Sequence, residues 1–414
     1  GYELAAELAA FVRALDPTRP ISAAIPVTFN GLDDGDMAAM MKSLQEMLAK
    51  GGIKSSGLQN LGNPYSNKIW GPKTEAFIAP LDVTGYNYLD YRYEEDGITY
   101  PHRIICGTES YPRNIDVVWE KVMRLPYVIG DFAWTSHDYI GEAGLGQAAY
   151  LNDEEMKKVN PVQGYPVYYP WRLAFCADFD LCGFDRTQLH FRKIVWGSEE
   201  TYLVSQPPAN MDKHEVLSRW GWPEAYPEWS FDGFEGRITK VDVYSGAEEV
   251  ELFLNGKSLG KKAVGKSNRY TARFEIAYQP GILKAVSLTG GKGISSAEIA
   301  TAGKAAGIRI IPEKTTIKSN GQSLCFAVVE LVDAQGRRVP FDDRKAKAVV
   351  SGAATLAAFG NGRPVTEENY TTGEFTSYLG RFLVILRSGY EKGEAVLKVS
   401  VEGLGEAETV INAV

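Results

Sequence analysis

Leu4, Leu8, Phe11, Val12 and Leu15 recur at three- and four-residue intervals, a helical stripe that Asp16-Pro17 stops. Residues 21–26 then read as a buried strand. Met37, Met40, Met41, Leu44, Met47 and Leu48 predict a second helix closed by Gly51-Gly52. Further on, residues 81–88 and 103–109 read as strands, the first ending in polar aromatics and the second in a carboxylate. Ile115, Val118, Trp119, Val122 and Met123 form a helical stripe before Pro126, and residues 127–134 are again strand-like. Past residue 198 the texture changes to short alternating strands with Gly and Asn turns. Val250, Leu252 and Leu254 alternate with Glu251, Phe253 and Asn255, and Asn255-Gly256 is a strong hairpin signal. Ile308, Ile310, Val328, Val329, Leu331, Val349 and Val350 mark later strands, punctuated by Asn320-Gly321 and Asn361-Gly362.

Strands alternating with helices predict βα units on a parallel sheet. With functional-looking side chains at their C-terminal ends, the four strands resemble strands five to eight of a (β/α)8 TIM barrel, whose active sites lie at that face. An open doubly wound sheet is the alternative, but no Gly-rich phosphate turn follows any strand. The expected organisation is a C-terminal half-barrel over residues 1–198, a linker over 199–235, and immunoglobulin-like β-sandwich domains over 236–304 and 305–414.

Composition narrows the partners. With 44 Lys plus Arg against 52 Asp plus Glu, the net charge of −8 argues against nucleic acid. No apolar run of membrane-spanning length occurs, so no membrane span is expected. Cys106, Cys176, Cys182 and Cys325 are too scattered for a disulfide framework or a zinc site, and neither metal nor cofactor is expected. Gly1-Tyr2-Glu3 enters the first helix with no initiator Met or targeting segment before it. This reads as an interior piece of a longer chain and leaves the compartment open, with periplasm or exterior preferred.

Glu109, closing an apolar strand, is a candidate nucleophile or general base, with a solvated loop carboxylate as the bland alternative. Tyr86, Asn87, Tyr88, Tyr91, Trp134 and Tyr139 crowd onto the same strand ends, and aromatics mixed with hydrogen-bonding groups suit a sugar. Four segments then carry a resemblance in order along residues 1–198: Asp82-Val83-Thr84-Gly85-Tyr86-Asn87-Tyr88; Gly107-Thr108-Glu109; Phe132-Ala133-Trp134-Thr135 with Asp138-Tyr139 and Gly141-Glu142; and Asp180-Leu181-Cys182-Gly183-Phe184. They resemble the second half of the catalytic barrel in family 2 glycoside hydrolases, the β-galactosidase group. Residues 241–260 resemble the immunoglobulin-like domain that follows the barrel in that family.

The resemblance implies a retaining exo-β-glycosidase, most simply a β-galactosidase, with Glu109 as nucleophile, Tyr88 donating a hydrogen bond to it, and Trp134 as the apolar wall of the sugar subsite. Asn87 joins the substrate-binding set. Asp138 and Glu142 either bind sugar hydroxyls or fix the loop after the last strand. The family's acid/base Glu lies in a Gly-Asn-Glu segment after strand four, which this sequence lacks, so the chain alone is expected to be inactive. Tyr111-Pro112-Arg113 stands where the large galactosidases have a His. The Asn and Lys that read a uronate carboxylate in the β-glucuronidases have no counterpart over residues 141–169, which favours a neutral sugar. The implied partners are an oligo- or polysaccharide substrate and either a second copy of the chain or a complementary N-terminal half. A non-catalytic carbohydrate-binding or scaffold protein is the competing class.

Other constellations are weaker. Ser136-His137-Asp138 has triad letters, but adjacent side chains diverge. Asp33-Asp34-Gly35-Asp36 lacks the remaining ligands of a calcium loop, and Gly290-Gly291-Lys292-Gly293 is a turn between strands. Trp220, Trp222 and Trp229 are expected to pack between domains.

Overall fold

The computed structural model of the chain describes residues 1–26, 64–160 and 164–414, with positions 35, 38 and 42. The helix expected over residues 37–48 and the Asp33-Asp34-Gly35-Asp36 cluster fall largely outside them. The chain is mostly β-structure: one four-stranded parallel sheet, followed by two pairs of mainly antiparallel sheets of three to five strands each.

The parallel sheet runs β1 (Ser22–Pro26), β2 (Val83–Asn87), β3 (Ile105–Ser110) and β4 (Val128–Ala133), in that spatial order. Helix α1 (Tyr2–Leu15) precedes it, α2 (Pro64–Ile78) leads into β2, α3 (Tyr93–Thr99) joins β2 to β3, and α4 (Ile115–Arg124) joins β3 to β4. Ile25, Tyr86, Ile105 and Val128 from the strands meet Ile78, Tyr93 and Val118 from the helices in one core. Beside this core, Asp96 accepts hydrogen bonds from the Tyr86 hydroxyl (2.6 Å) and the Arg92 guanidinium (2.6 and 3.1 Å). A carboxylate so deeply buried is tolerated because it is paired this fully.

Two features differ from the pattern-based expectation. The apolar stripe of α1 forms a helix as predicted, yet Leu4, Leu8, Phe11, Val12 and Leu15 are 46–71% exposed. The edge strand β4 also leaves Ile129 and Phe132 at 60% and 66% exposure. These faces have the composition of a core without a covering layer among the described residues.

The antiparallel sheets enclose two further cores. In the first, Val241, Val243, Val250, Leu252, Leu283 and Ala285 surround Trp229. Asn255 and Gly256 both take positive φ (51° and 78°), the geometry a two-residue hairpin demands. In the second, Phe359, Phe382, Val384, Leu397, Val399 and Ile411 pack together. Within the segment expected as a linker over 199–235, Tyr202–Ser205 pairs antiparallel with the strand Ile238–Tyr244, and His214–Leu217 pairs with Ala148–Leu151. The apolar pair Leu203-Val204 is too short a run to stand out against a Pro- and Trp-rich stretch.

Candidate active site

The site begins with a break in sheet register. Between β2 and β3, Gly85 faces Cys106 and Tyr86 faces Gly107, but Asn87 faces Glu109. Against β4, Gly107 faces Asp131 and Ser110 faces Ala133. Between Gly107 and Ser110, strand β3 therefore holds one residue more than either neighbour, a bulge around Thr108. Bulges of this kind re-aim side chains. Here the Thr108 hydroxyl donates to Asn87 Oδ1 at 2.6 Å, which turns the Asn87 amide N–H toward Glu109. Gly107 keeps the bulge possible, since a Cβ there would lie 2.5 Å from Asp131 Oδ1 and 2.6 Å from the Tyr93 hydroxyl. That crowded Asp131 carboxyl is pushed up to about 6 by burial, against a hydrogen bond from Ser110 that pulls it down.

Tyr88 follows the last residue of β2 with φ of 57°, a left-handed backbone unusual for an aromatic residue, and its N–H donates to the Glu109 carbonyl at 2.7 Å. Its hydroxyl reaches the Glu109 carboxylate. Burial raises the Glu109 carboxyl above its ordinary range; hydrogen bonds from Tyr88 and Asn87 pull it back, and the Glu142 charge pushes it up again. The result is a half-buried carboxylate with two donors in place. Such a group can attack an electrophilic carbon or accept a proton.

Beyond β4, the Trp134 indole donates to the Tyr139 hydroxyl at 3.2 Å, and Tyr139 donates to Glu142. Trp134 is half-buried, and its ring meets Tyr139 edge-on at 6.2 Å. Glu142 is exposed with φ of 41°. An indole face, a phenol and two carboxylates are thus grouped where β2, β3 and β4 end.

Asp138 does not belong with them. Its side chain is 0% exposed, paired with Arg186 Nη1 at 2.9 and 3.0 Å and accepting from the Ala177 N–H at 2.9 Å. With its oxygens so occupied it has no free edge for a sugar hydroxyl, and it fixes the loop instead. The same pairing removes it from any relay with Ser136 and His137, whose side chains meet each other at 3.0 Å.

The sequence reading missed Trp220. Trp222 packs against Phe191, whereas Trp229 lies inside the core of the first sheet pair, against Tyr278, rather than between domains. Trp220 instead donates its indole N–H to the Tyr88 hydroxyl at 2.8 Å, and Tyr111 stacks on Tyr88 with centroids 4.4 Å apart. No local signal separates Trp220 from its two neighbours; only the fold brings it across 132 positions to Tyr88.

A cavity of 320 Å³ lies elsewhere, lined by Trp171, Phe175, Trp222, Tyr378 and Arg381 among others. None of Glu109, Tyr88, Asn87 or Trp134 lines it. Among the described residues no three His, Cys, Asp or Glu side chains converge as a metal site, and no helix is long and apolar enough to cross a membrane.

Comparison with known proteins gives a consistent result. Residues 308–410 match the glycoside hydrolase family 2 C-terminal domain 5, and residues 236–295 match a domain of unknown function, DUF4982. The chain is 27% identical to the β-galactosidase BoGH2A of Bacteroides ovatus, over 99% of the chain and 43% of that protein. It is 26% identical to a Formosa agariphila protein that carries a provisional β-glucuronidase name, over 67% of the chain and 23% of that protein. A family 2 glycosyl hydrolase structure from Bacteroides cellulosilyticus superposes with a TM-score of 0.80 at 33% identity, over 100% of the chain and 47% of that structure. A second, from strain DSM 14838, gives 0.76 at 30%, over 99% and 46%. The chain thus spans less than half the length of these relatives. It belongs to glycoside hydrolase family 2 and corresponds to the C-terminal portion of its members.

Proposed function

We propose that Glu109 is the nucleophile of a retaining exo-β-glycosidase that removes terminal β-linked neutral sugars, β-galactosides first among them. The observation that supports this most is the Glu109 carboxylate itself, re-aimed by the Thr108 bulge, hydrogen-bonded by Tyr88 and Asn87, and within electrostatic reach of Glu142, which Tyr139 ties to Trp134. In the reaction, a Glu109 oxygen attacks the anomeric carbon as the bond to the leaving oxygen breaks, and a general acid gives that oxygen a proton. Water, losing its proton to the same group, then attacks the glycosyl-enzyme and releases the sugar with retained configuration. The Tyr88 and Asn87 donors stabilise Glu109 as it departs in the second step. Partial burial keeps the carboxylate reactive enough for the first.

On this reading β1–β4 are strands five to eight of a (β/α)8 barrel. Its supports, among the described residues, are the two open sheet edges, the exposed Ile129 and Phe132, and the uncovered stripe of α1. The acid/base carboxylate then comes from a complementary half, and the two sandwich units are spacers. The preference for a neutral sugar rests on the missing uronate-reading pair and on the β-galactosidase relative.

The test is to assay residues 1–414 on an aryl β-galactoside, then again with the complementary N-terminal half. Absence of the general acid is expected to hold turnover about 10² to 10⁴ below that of the complemented protein. Robust hydrolysis by the chain alone would overturn the placement of the acid/base and point to Glu142. No hydrolysis of any β-glycoside in either case would favour the scaffold reading.

A further inference from the structure

We infer that Trp220 is a positioning residue for this site: its indole N–H occupies the Tyr88 oxygen and commits the phenol's single proton to Glu109. The inference rests on the reading of Glu109 as nucleophile.

An indole N–H only donates, whereas a phenol donates once and accepts. With Trp220 Nε1 at 2.8 Å, the Tyr88 oxygen is filled as an acceptor, and its proton is left for the carboxylate. Accepting a hydrogen bond also makes the phenol a stronger donor, because linked hydrogen bonds polarise one another. The Tyr88 ring cannot swing away, being stacked on Tyr111 at 4.4 Å and met edge-on by Trp220 at 5.7 Å. Its backbone is pinned through the Glu109 carbonyl.

The segment bearing Trp220 is stitched to the sheet residue by residue. Arg113 donates to the Ser218 carbonyl at 3.0 Å, Arg219 bonds the Tyr111 hydroxyl, and Trp220 reaches Tyr88. From the other side, the Ser218 N–H donates to the Gln147 carbonyl at 2.9 Å. Gly221 allows that close approach, since a Cβ there would stand 2.5 Å from the same carbonyl oxygen. The segment is therefore braced between the loop after β3 and the loop that follows Glu142. A part of the chain outside the parallel sheet thus sets the donor strength felt by Glu109.

The test uses the full-length natural protein with Trp220→Phe, which keeps a ring and loses the donor, alone and with Tyr88→Phe. Losing one hydrogen bond of ordinary strength should lower kcat/KM between about three- and ten-fold. The loss should fall on kcat with KM nearly unchanged. The acidic limb of the pH profile should move to higher pH, because a weaker phenol donor lets the Glu109 carboxyl rise. In the Tyr88→Phe background, Trp220→Phe should cost almost nothing further. An equal cost in both backgrounds, or a change in KM alone, would overturn the inference. The indole N–H resonance of Trp220 gives a readout independent of activity, and should move upfield in Tyr88→Phe. If Glu109→Gln left turnover intact, the nucleophile reading would fail, and this resonance alone would judge the Trp220–Tyr88 contact; an unmoved signal overturns it.

Discussion

Glu109→Gln is expected to lower turnover of β-glycosides in the complemented protein by about 10⁴-fold or more, while leaving its unfolding transition nearly unchanged. The amide keeps the volume of the carboxyl and can still accept from Tyr88, so little packing is lost. What disappears is the negative oxygen that forms the bond to the anomeric carbon. Glu109→Ala separates this role from that of an acid/base. Azide added to the alanine variant with an activated substrate can enter the vacated face and give a glycosyl azide of inverted configuration. A retained-configuration azide would instead mark Glu109 as the acid/base. The same pair of substitutions at Glu142 should give a far smaller effect, since Glu142 is exposed and held by Tyr139 rather than by a convergent set of donors.

Arg186→Ala should be the most damaging single change to stability near this site, costing about 3–5 kcal/mol. It leaves the Asp138 carboxylate buried with only the Ala177 N–H for company. Already in the intact chain, burial pushes Asp138 up to about 6, with Arg186 opposing the shift. A folded value above the unfolded one of 3.8 means that the folded state binds the extra proton. Stability associated with Asp138 is therefore full at low pH and is lost as pH rises through about 6. Without Arg186 that window extends upward, so the variant should be far weaker than the parent at pH 8 and should approach it at about pH 5. Denaturant unfolding at the two pH values checks this; an equal deficit at both would contradict it. Because Asp138 anchors the loop bearing Trp134, Tyr139 and Glu142, activity should fall with stability.

Much of the parallel sheet was legible in the chain because its elements announce themselves locally. The apolar run ending in Asn87-Tyr88 and the stripe Ile115, Val118, Val122 need only period counting, and Asn255-Gly256 needs only the cost of positive φ in other residues. The Thr108 bulge left no such mark, since an extra residue in a strand changes pairing without changing composition. Asp138 reads as an available acid until Arg186, 48 positions later, is seen to neutralise it. Trp220 and the strand Tyr202–Ser205 were hidden for the same reason. Their partners are distant in sequence, so neither period nor motif reports them.

The most direct test of the account is covalent trapping. A deoxyfluoro β-galactoside with a dinitrophenyl leaving group needs no general acid to depart, and the fluorine slows release of the glycosyl-enzyme, so the chain can be labelled even without its complement. Mass spectrometry of the digested protein should show one added glycosyl group on the peptide containing Glu109, and none after Glu109→Gln. Labelling on another carboxylate, Glu142 included, or undiminished labelling of the Glu109→Gln variant, would contradict the account.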